Sequence, residues 1–227
     1  AFLIFTMVRC VMFDLGGVVY DSPIVALQEF SKKKGVRDVN PFLGKSPAFH
    51  GLMQGKLGGP EFAAAVLREA QEQGLEDGLR LGEEGWLEVV DVMLTPSVPR
   101  PAMVTVLKRL RAAGFKVAAL TNNFDVPPPA DPQLRAAEEQ RERDFKALFD
   151  YFIESRVVGL SKPDPEIYKL ALRTLGCQAE EVVFLDDIGV NLKSAAKLGI
   201  RTVHVKNGSP TQFLEAVHEL EGIVGLQ

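Results

Sequence analysis

The chain has 227 residues, 46% of them hydrophobic and 25% charged, the balance of an ordinary soluble globular protein with room for one core domain or a core plus a smaller insert. Its 26 Lys and Arg against 30 Asp and Glu leave a formal charge of −4, which offers no basic surface for nucleic acid but does not exclude small phosphate ligands. Two cysteines, Cys10 and Cys177, make no disulfide framework, and a reducing, cytoplasmic setting is the simpler reading.

At the N-terminus, residues 1–6 are apolar and precede Met7. No basic segment leads them and Arg9 follows early, so they do not read as a signal peptide, and they are too short to span a bilayer. Met7 reads as a natural start and the six residues before it as an extension.

Five β-rich runs follow, at 9–15, 116–121, 151–154, 182–186 and 201–205. Most are continuously apolar, as strands covered on both faces are. Helical spacing appears between them: Met103, Val106, Leu107 and Leu110 before Gly114, and Ile167, Leu170, Ala171 and Leu175 before Gly176. Alternating strands and helices predict a doubly wound parallel sheet of the α/β class, Rossmann-like. The stretch 22–94 breaks the alternation and reads as helices only, at 23–34, 60–73 and 84–94. Pro96, Pro99 and Pro101 mark the return, giving a core of 7–21 and 95–227 around a helical insert. A proline-rich segment at 126–132 precedes a polar, solvated helix at 133–146.

Four places carry candidate chemistry. The run VMFDLGGV puts Asp14 at the end of an apolar strand, followed by Gly16 and Gly17. Ligands of open parallel sheets bind beyond the carboxyl ends of strands, and glycines let the backbone approach them closely. The run AALTNN ends a second strand in Thr121, Asn122 and Asn123, a hydroxyl and free amides that can hold phosphate oxygens. In SKPDP, Lys162 is held extended before a proline, and Asp164 caps the next helix with Pro165 at its first position. In VVFLDDIGVN, Asp186 and Asp187 end a buried strand side by side. Like charges this close raise each other's pKa unless a cation relieves them, and magnesium takes oxygen ligands. Each feature alone also reads as a cap, a polar turn, a surface lysine or an exposed acid pair; the order of all four along one sheet rim is what singles them out.

That order resembles the haloacid dehalogenase-like superfamily over nearly the whole chain. Within it the chain looks most like the N-terminal phosphatase domain of two-domain soluble epoxide hydrolases, and like related domains of some acyl-CoA dehydrogenase family proteins. FDYFIESRVVGLSKPDPEIYKLALRTLG and EEVVFLDDIGVNLKSAAKLGI carry most of the likeness. The resemblance implies a magnesium-dependent hydrolase of small phosphorylated substrates, with no nucleic-acid or membrane partner. Asp14 would attack phosphorus and form an aspartyl-phosphate. Thr121 and the Asn122 amide would bind the phosphoryl group, and Lys162 would neutralise nucleophile and phosphoryl oxygens. Asp14, Asp187 and the Gly16 carbonyl would hold the metal, with Asp186 just behind and Asn191 ordering the rim. The helical insert would be a cap closing over the substrate.

One departure stands out. The family's phosphatases carry a second Asp two positions after the nucleophile, and here that position is Gly16. A carbonyl remains for the metal, but the side chain that protonates the leaving group is missing. Asp21 and His50 are candidate replacements, whereas His204 reads as structural and His218 as a surface helix residue. A hydrolytic dehalogenase also lacks that Asp, but needs no magnesium and lacks a pair like Asp186–Asp187. A degenerate phospho-ligand or partner-binding module is the other alternative. No G-x-S-x-G, G-x-G-x-x-G or Walker A sequence occurs.

Overall fold

Continuously apolar runs do become central strands. In the computed structural model, which describes residues 7–75, 79–94, 98–126, 128 and 130–226, five parallel strands lie in the order β3-β2-β1-β4-β5. They are β1 (Cys10–Phe13), β2 (Lys116–Thr121), β3 (Tyr151–Glu154), β4 (Val182–Asp186) and β5 (Arg201–His204). Residues 1–6, Pro96, Pro127 and Pro129, on which expectations above fell, lie outside the described residues.

Strand side chains alternate between two apolar layers. Val11, Phe13, Val117, Ala119, Val183, Leu185 and Val203 face one layer, with the helices Pro101–Ala112 and Phe213–Val224. Cys10, Met12, Ala118, Leu120, Val182 and Phe184 face the other, with Pro165–Leu175 and Gly189–Ala196. Helices therefore cover both faces, and the fold is the doubly wound α/β class expected. The helix Pro165–Leu175 starts at Asp164, whose carboxylate accepts from the Glu166 N–H, and stops at Gly176 with φ 61°.

β1 is shorter than its apolar run because the chain turns at Asp14, whose carboxylate accepts from the Leu15 N–H at the head of the turn Leu15–Val19. Between this turn and Arg100 the described chain is helical: Pro23–Lys34, Asn40–Leu43, Pro47–Met53, Gly59–Glu72 and Glu83–Leu94. The two short members escape periodicity analysis because they are too brief to repeat. The second is fixed by Ser46, whose hydroxyl accepts from the Phe49 N–H and donates to Glu69 at 2.5 Å. These helices close around their own apolar cluster, centred on Trp86, Phe62 and Leu52, all fully buried. The helix Pro132–Lys146 has no fully buried residue, as its polar sequence predicts. Among the described residues, no helix is long and apolar enough to cross a membrane.

Candidate active site

The chain passes from β1 outward through β2 and β3, then returns to the other side of β1 for β4 and β5. β1 is thus where the strand order reverses, and the crevice at its carboxyl end is where such sheets bind ligands. Register decides what meets there. Phe13 pairs with Ala119 on β2 and with Leu185 on β4, and the Asp14 N–H donates to the Leu185 carbonyl at 2.8 Å. One residue further on, Asp14 therefore stands beside Asp186.

The side chains meet through Lys162. Its ammonium lies 2.9 Å from Asp14 Oδ1 and 2.7 Å from Asp186 Oδ2. Asp14 Oδ1 also accepts from the Leu15 N–H at 2.7 Å, and among the described residues no donor reaches Oδ2. Asp186 is fully buried and saturated: the Ile188 N–H donates to Oδ1 at 2.8 Å, and Asn191 Nδ2 lies 3.1 Å from each oxygen. Tyr168 Oη donates to the Asn191 carbonyl at 2.9 Å and fixes that residue in turn. Asp187 is half-buried and closer to the rim; its Oδ2 accepts from Ser22 Oγ at 2.9 Å and from Asn207 Nδ2 at 3.1 Å.

One carboxylate oxygen each from Asp14, Asp186 and Asp187 lies within 4.8 Å of the others. Burial pushes the Asp14 carboxyl up to about 8, Lys162 pulls it back, and Asp186 and Asp187 add to the rise. Burial likewise raises Asp187 to about 6, with Asp186 adding to it. Burial opposes the charge on Lys162, but Asp14 and Asp186 outweigh it and hold the ammonium above its usual range. Three acids with one ammonium between them leave negative charge uncompensated, and every donor is a hard oxygen. That set fits a magnesium ion.

The neighbouring loops are tied to the same centre. Asn122 clamps the main chain of Lys162: its Nδ2 donates to the Lys162 carbonyl and its Oδ1 accepts the Lys162 N–H, both at 2.9 Å. This side chain therefore positions the lysine, a task that sequence reasoning, looking only at the Asn122 amide, did not foresee. Thr121 is buried at the end of β2, and among the described residues its hydroxyl has only a long contact, 3.5 Å, to the Asn122 carbonyl. Ser155 Oγ accepts the Asn123 N–H at 2.9 Å and donates to the Met53 carbonyl of the helical unit. Gln54 Nε2 donates to Ser161 Oγ at 3.0 Å, one residue before Lys162.

The two glycines after Asp14 differ. Gly17 has φ +77°, and a Cβ there would lie 2.0 Å from Asp187 Oδ2, so the carboxylate occupies the space a side chain would need. Gly16 has an ordinary φ of −66°, and a Cβ would meet Pro23 Cδ at 3.1 Å. The candidate replacement acids sit apart. Asp21 is exposed and pairs with Arg100 at 3.4 Å, and His50 is exposed on Pro47–Met53. Among the described residues no hydrogen bond or ion pair links either side chain to the three acids. His218 is exposed on its helix, and His204, also exposed, has Nε2 3.1 Å from the Asp187 carbonyl. Sequence reasoning missed Ser22, Arg100 and Asn207.

Comparison with known proteins agrees with this architecture. A family profile described as a hydrolase, haloacid dehalogenase-like hydrolase, matches residues 8–199. The bifunctional epoxide hydrolase 2 of Sus scrofa is 30% identical over 226 residues, covering 96% of this chain and 39% of that protein. The acyl-CoA dehydrogenase family member 10 of Mus musculus is 32% identical over 225 residues, covering 96% and 19%. The chain thus spans well under half of these two relatives. It matches the sesquiterpene phosphatase astK of Aspergillus oryzae nearly end to end, at 28% identity with 97% and 98% covered. A HAD family enzyme of Bacteroides thetaiotaomicron, solved with magnesium and inorganic phosphate, superposes with a TM-score of 0.59 at 22% identity, covering 91% and 98%, a likeness of fold.

Proposed function

The chain belongs to the haloacid dehalogenase-like hydrolase family, and from that premise we propose that it is a magnesium-dependent phosphatase acting on the phosphate ester of a small molecule. The observation that carries this reading is the pair Asp14–Lys162: a buried carboxylate whose Oδ1 is held by the Leu15 N–H and the ammonium, while among the described residues no donor reaches Oδ2.

The Asp14 carboxylate attacks phosphorus, the P–O bond to the leaving group breaks, and the phosphoryl group becomes an acyl-phosphate on Asp14. Water then attacks the same phosphorus and returns the carboxylate and inorganic phosphate. Lys162 neutralises charge on Asp14 and on the phosphoryl oxygens through both stages. Thr121 and the Asn122 amide bind the phosphoryl oxygens at the end of β2. Asp14, Asp187 and the Gly16 carbonyl would hold the cation, while Asp186 orients Lys162 and Asn191 orders Asp186. Bound magnesium supplies the positive charge that the three acids lack and stabilises charge spreading on the phosphoryl group.

The helical unit, 22–94, acts as a cap over this crevice. Its separate apolar cluster and its hydrogen bonds to Ser155 and Ser161, beside the Lys162 loop, support that role. Such a cap excludes water from the reacting phosphate. With Gly16 in place of the family's acid, and Pro23 against the space a Cβ there would fill, leaving groups that depart as anions suit the site best. The buried free thiols of Cys10 and Cys177 suit a reducing, cytoplasmic setting.

Gly16 also favours a second reading, a dehalogenase, and the (S)-2-haloacid dehalogenase 4A of Burkholderia cepacia is 31% identical over 114 residues. The third acid, Asp187, speaks for the phosphatase. Phosphate release from a panel of aryl, acyl and alkyl phosphates, with magnesium and with chelator, separates the two. Magnesium-dependent release supports the phosphatase, while chloride release from a 2-haloacid without magnesium overturns it.

A further inference from the structure

Resting on the magnesium reading above, we propose that Ser22 and Asn207, the latter locked by Arg100, are positioning residues that aim Asp187 at the cation. Both donors bind the same oxygen: Ser22 Oγ at 2.9 Å and Asn207 Nδ2 at 3.1 Å reach Asp187 Oδ2. Among the described residues no side chain donates to Oδ1. A carboxylate pinned by one oxygen presents the other in a fixed direction, and such partners set metal affinity.

The orientation of Asn207 is decided by its neighbours. Arg100 Nη2 stands 2.9 Å from Asn207 Oδ1, and a guanidinium only donates. The amide nitrogen must therefore face the acceptors on its other side, Asp187 Oδ2 and the Gly17 carbonyl at 3.0 Å. Arg100 is fixed in turn: its Nη1 lies 3.2 Å from the Gly17 and Val18 carbonyls, its backbone N–H donates to Val19 at 2.8 Å, and its guanidinium stacks over Phe213 at 4.5 Å.

Ser22 supplies an independent sign. It occupies the N-cap position of Pro23–Lys34, where a serine hydroxyl ordinarily accepts from the helix's own N–H groups. It makes no such bond and donates instead to Asp187, 165 positions away in the chain. Ser22 and Arg100 also stand at the two places where the chain passes between the sheet core and the helical unit. One crossing thus touches the Asp187 carboxylate directly through Ser22, and the other reaches it through Asn207.

The test is a magnesium titration of metal-stripped protein followed by melting temperature, which needs no substrate. The wild type, Asn207→Leu, Asn207→Gln and Ser22→Ala are compared, reading the metal-free melting temperature and the magnesium midpoint separately. We expect Asn207→Leu, similar in size but without the amide, to raise the midpoint about tenfold or more, the usual loss when an outer partner of a metal ligand is removed. Ser22→Ala should raise it several-fold, and Asn207→Gln, which keeps an amide, should recover part of the loss. A wild-type midpoint in both Asn207→Leu and Ser22→Ala, with only the metal-free melting temperature lowered, overturns the positioning role. Should Asn207→Leu not fold, Ser22→Ala decides alone. A wild type with no magnesium shift at all overturns the metal reading itself.

Discussion

The Lys162 ammonium lies 2.9 Å from Asp14 Oδ1 with both side chains almost out of solvent, at 1% and 9% exposure. A charge pair this deep is costly to split. Lys162→Met should therefore leave Asp14 and Asp186 facing each other uncompensated, at a cost of about 3–5 kcal/mol. The loss should be largest at alkaline pH, where Asp14 cannot escape by taking a proton, and magnesium should restore part of it. Urea denaturation with and without magnesium measures both effects. A Lys162→Met protein as stable as wild type at alkaline pH without metal would show that the three acids are not crowded as the distances imply.

Metal-free stability should fall as pH rises. Burial is the chief cause that raises folded Asp14 well above the ordinary carboxyl range and folded Asp187 to about 6. Unfolded, each titrates near ~4. Between those limits the folded chain binds more protons, so this contribution is complete below the unfolded value and is lost as pH passes the folded ones. Against its own burial, Glu154 is held below the usual range by Lys146 and Asn123, and it works in the opposite direction. The comparison that isolates Asp14 is wild type minus Asp14→Asn, in chelator, by thermal melts from about pH 5 to 9. The difference should decline across that range, and the magnesium shift of the wild type should grow as the carboxylates become free to bind. A flat difference would remove the electrostatic case for a cation.

The missing acid makes its own demand. Aryl and acyl phosphates should be cleaved much faster than alkyl phosphates, whose leaving alcohol needs a proton. Gly16→Asp should narrow that gap by about 10-fold or more, within what a positioned acid contributes. Backbone strain does not stand in the way, since Gly16 has φ −66°; the obstacle is Pro23, which must give slightly to admit a Cβ. Melting curves beside the kinetics show whether it does. A folded Gly16→Asp enzyme with unchanged leaving-group preference would mean that another group already donates the proton.

The fold was legible in the strands: β2 and β4, where burial is nearly continuous, and the half-buried β3 occupy their expected runs to the residue, and Pro23–Lys34 matches its expected span. The convergence of Asp14, Lys162, Asp186 and Asp187 was legible too, because each ends a strand or opens a helix on one rim. Their distances were not, since these depend on register between strands far apart in sequence. Arg100 and Asn207 were invisible for the same reason. Nothing local marks an arginine in a proline-rich linker as the lock on an asparagine 107 residues away. The family likeness singled out Gly16 as the place of a missing acid, whereas the need for a glycine at 17, where Asp187 occupies the space of a side chain, shows only in the packing.

If Asp14 is the nucleophile, its acyl-phosphate can be trapped. Enzyme mixed with an aryl phosphate and magnesium, quenched in acid within a turnover and digested, should yield a peptide carrying one phosphoryl group on Asp14. Asp14→Asn should fold, bind magnesium more weakly, and show neither the modified peptide nor phosphate release. A phosphoryl group on any other residue, or wild-type phosphate release from Asp14→Asn, would contradict the assignment.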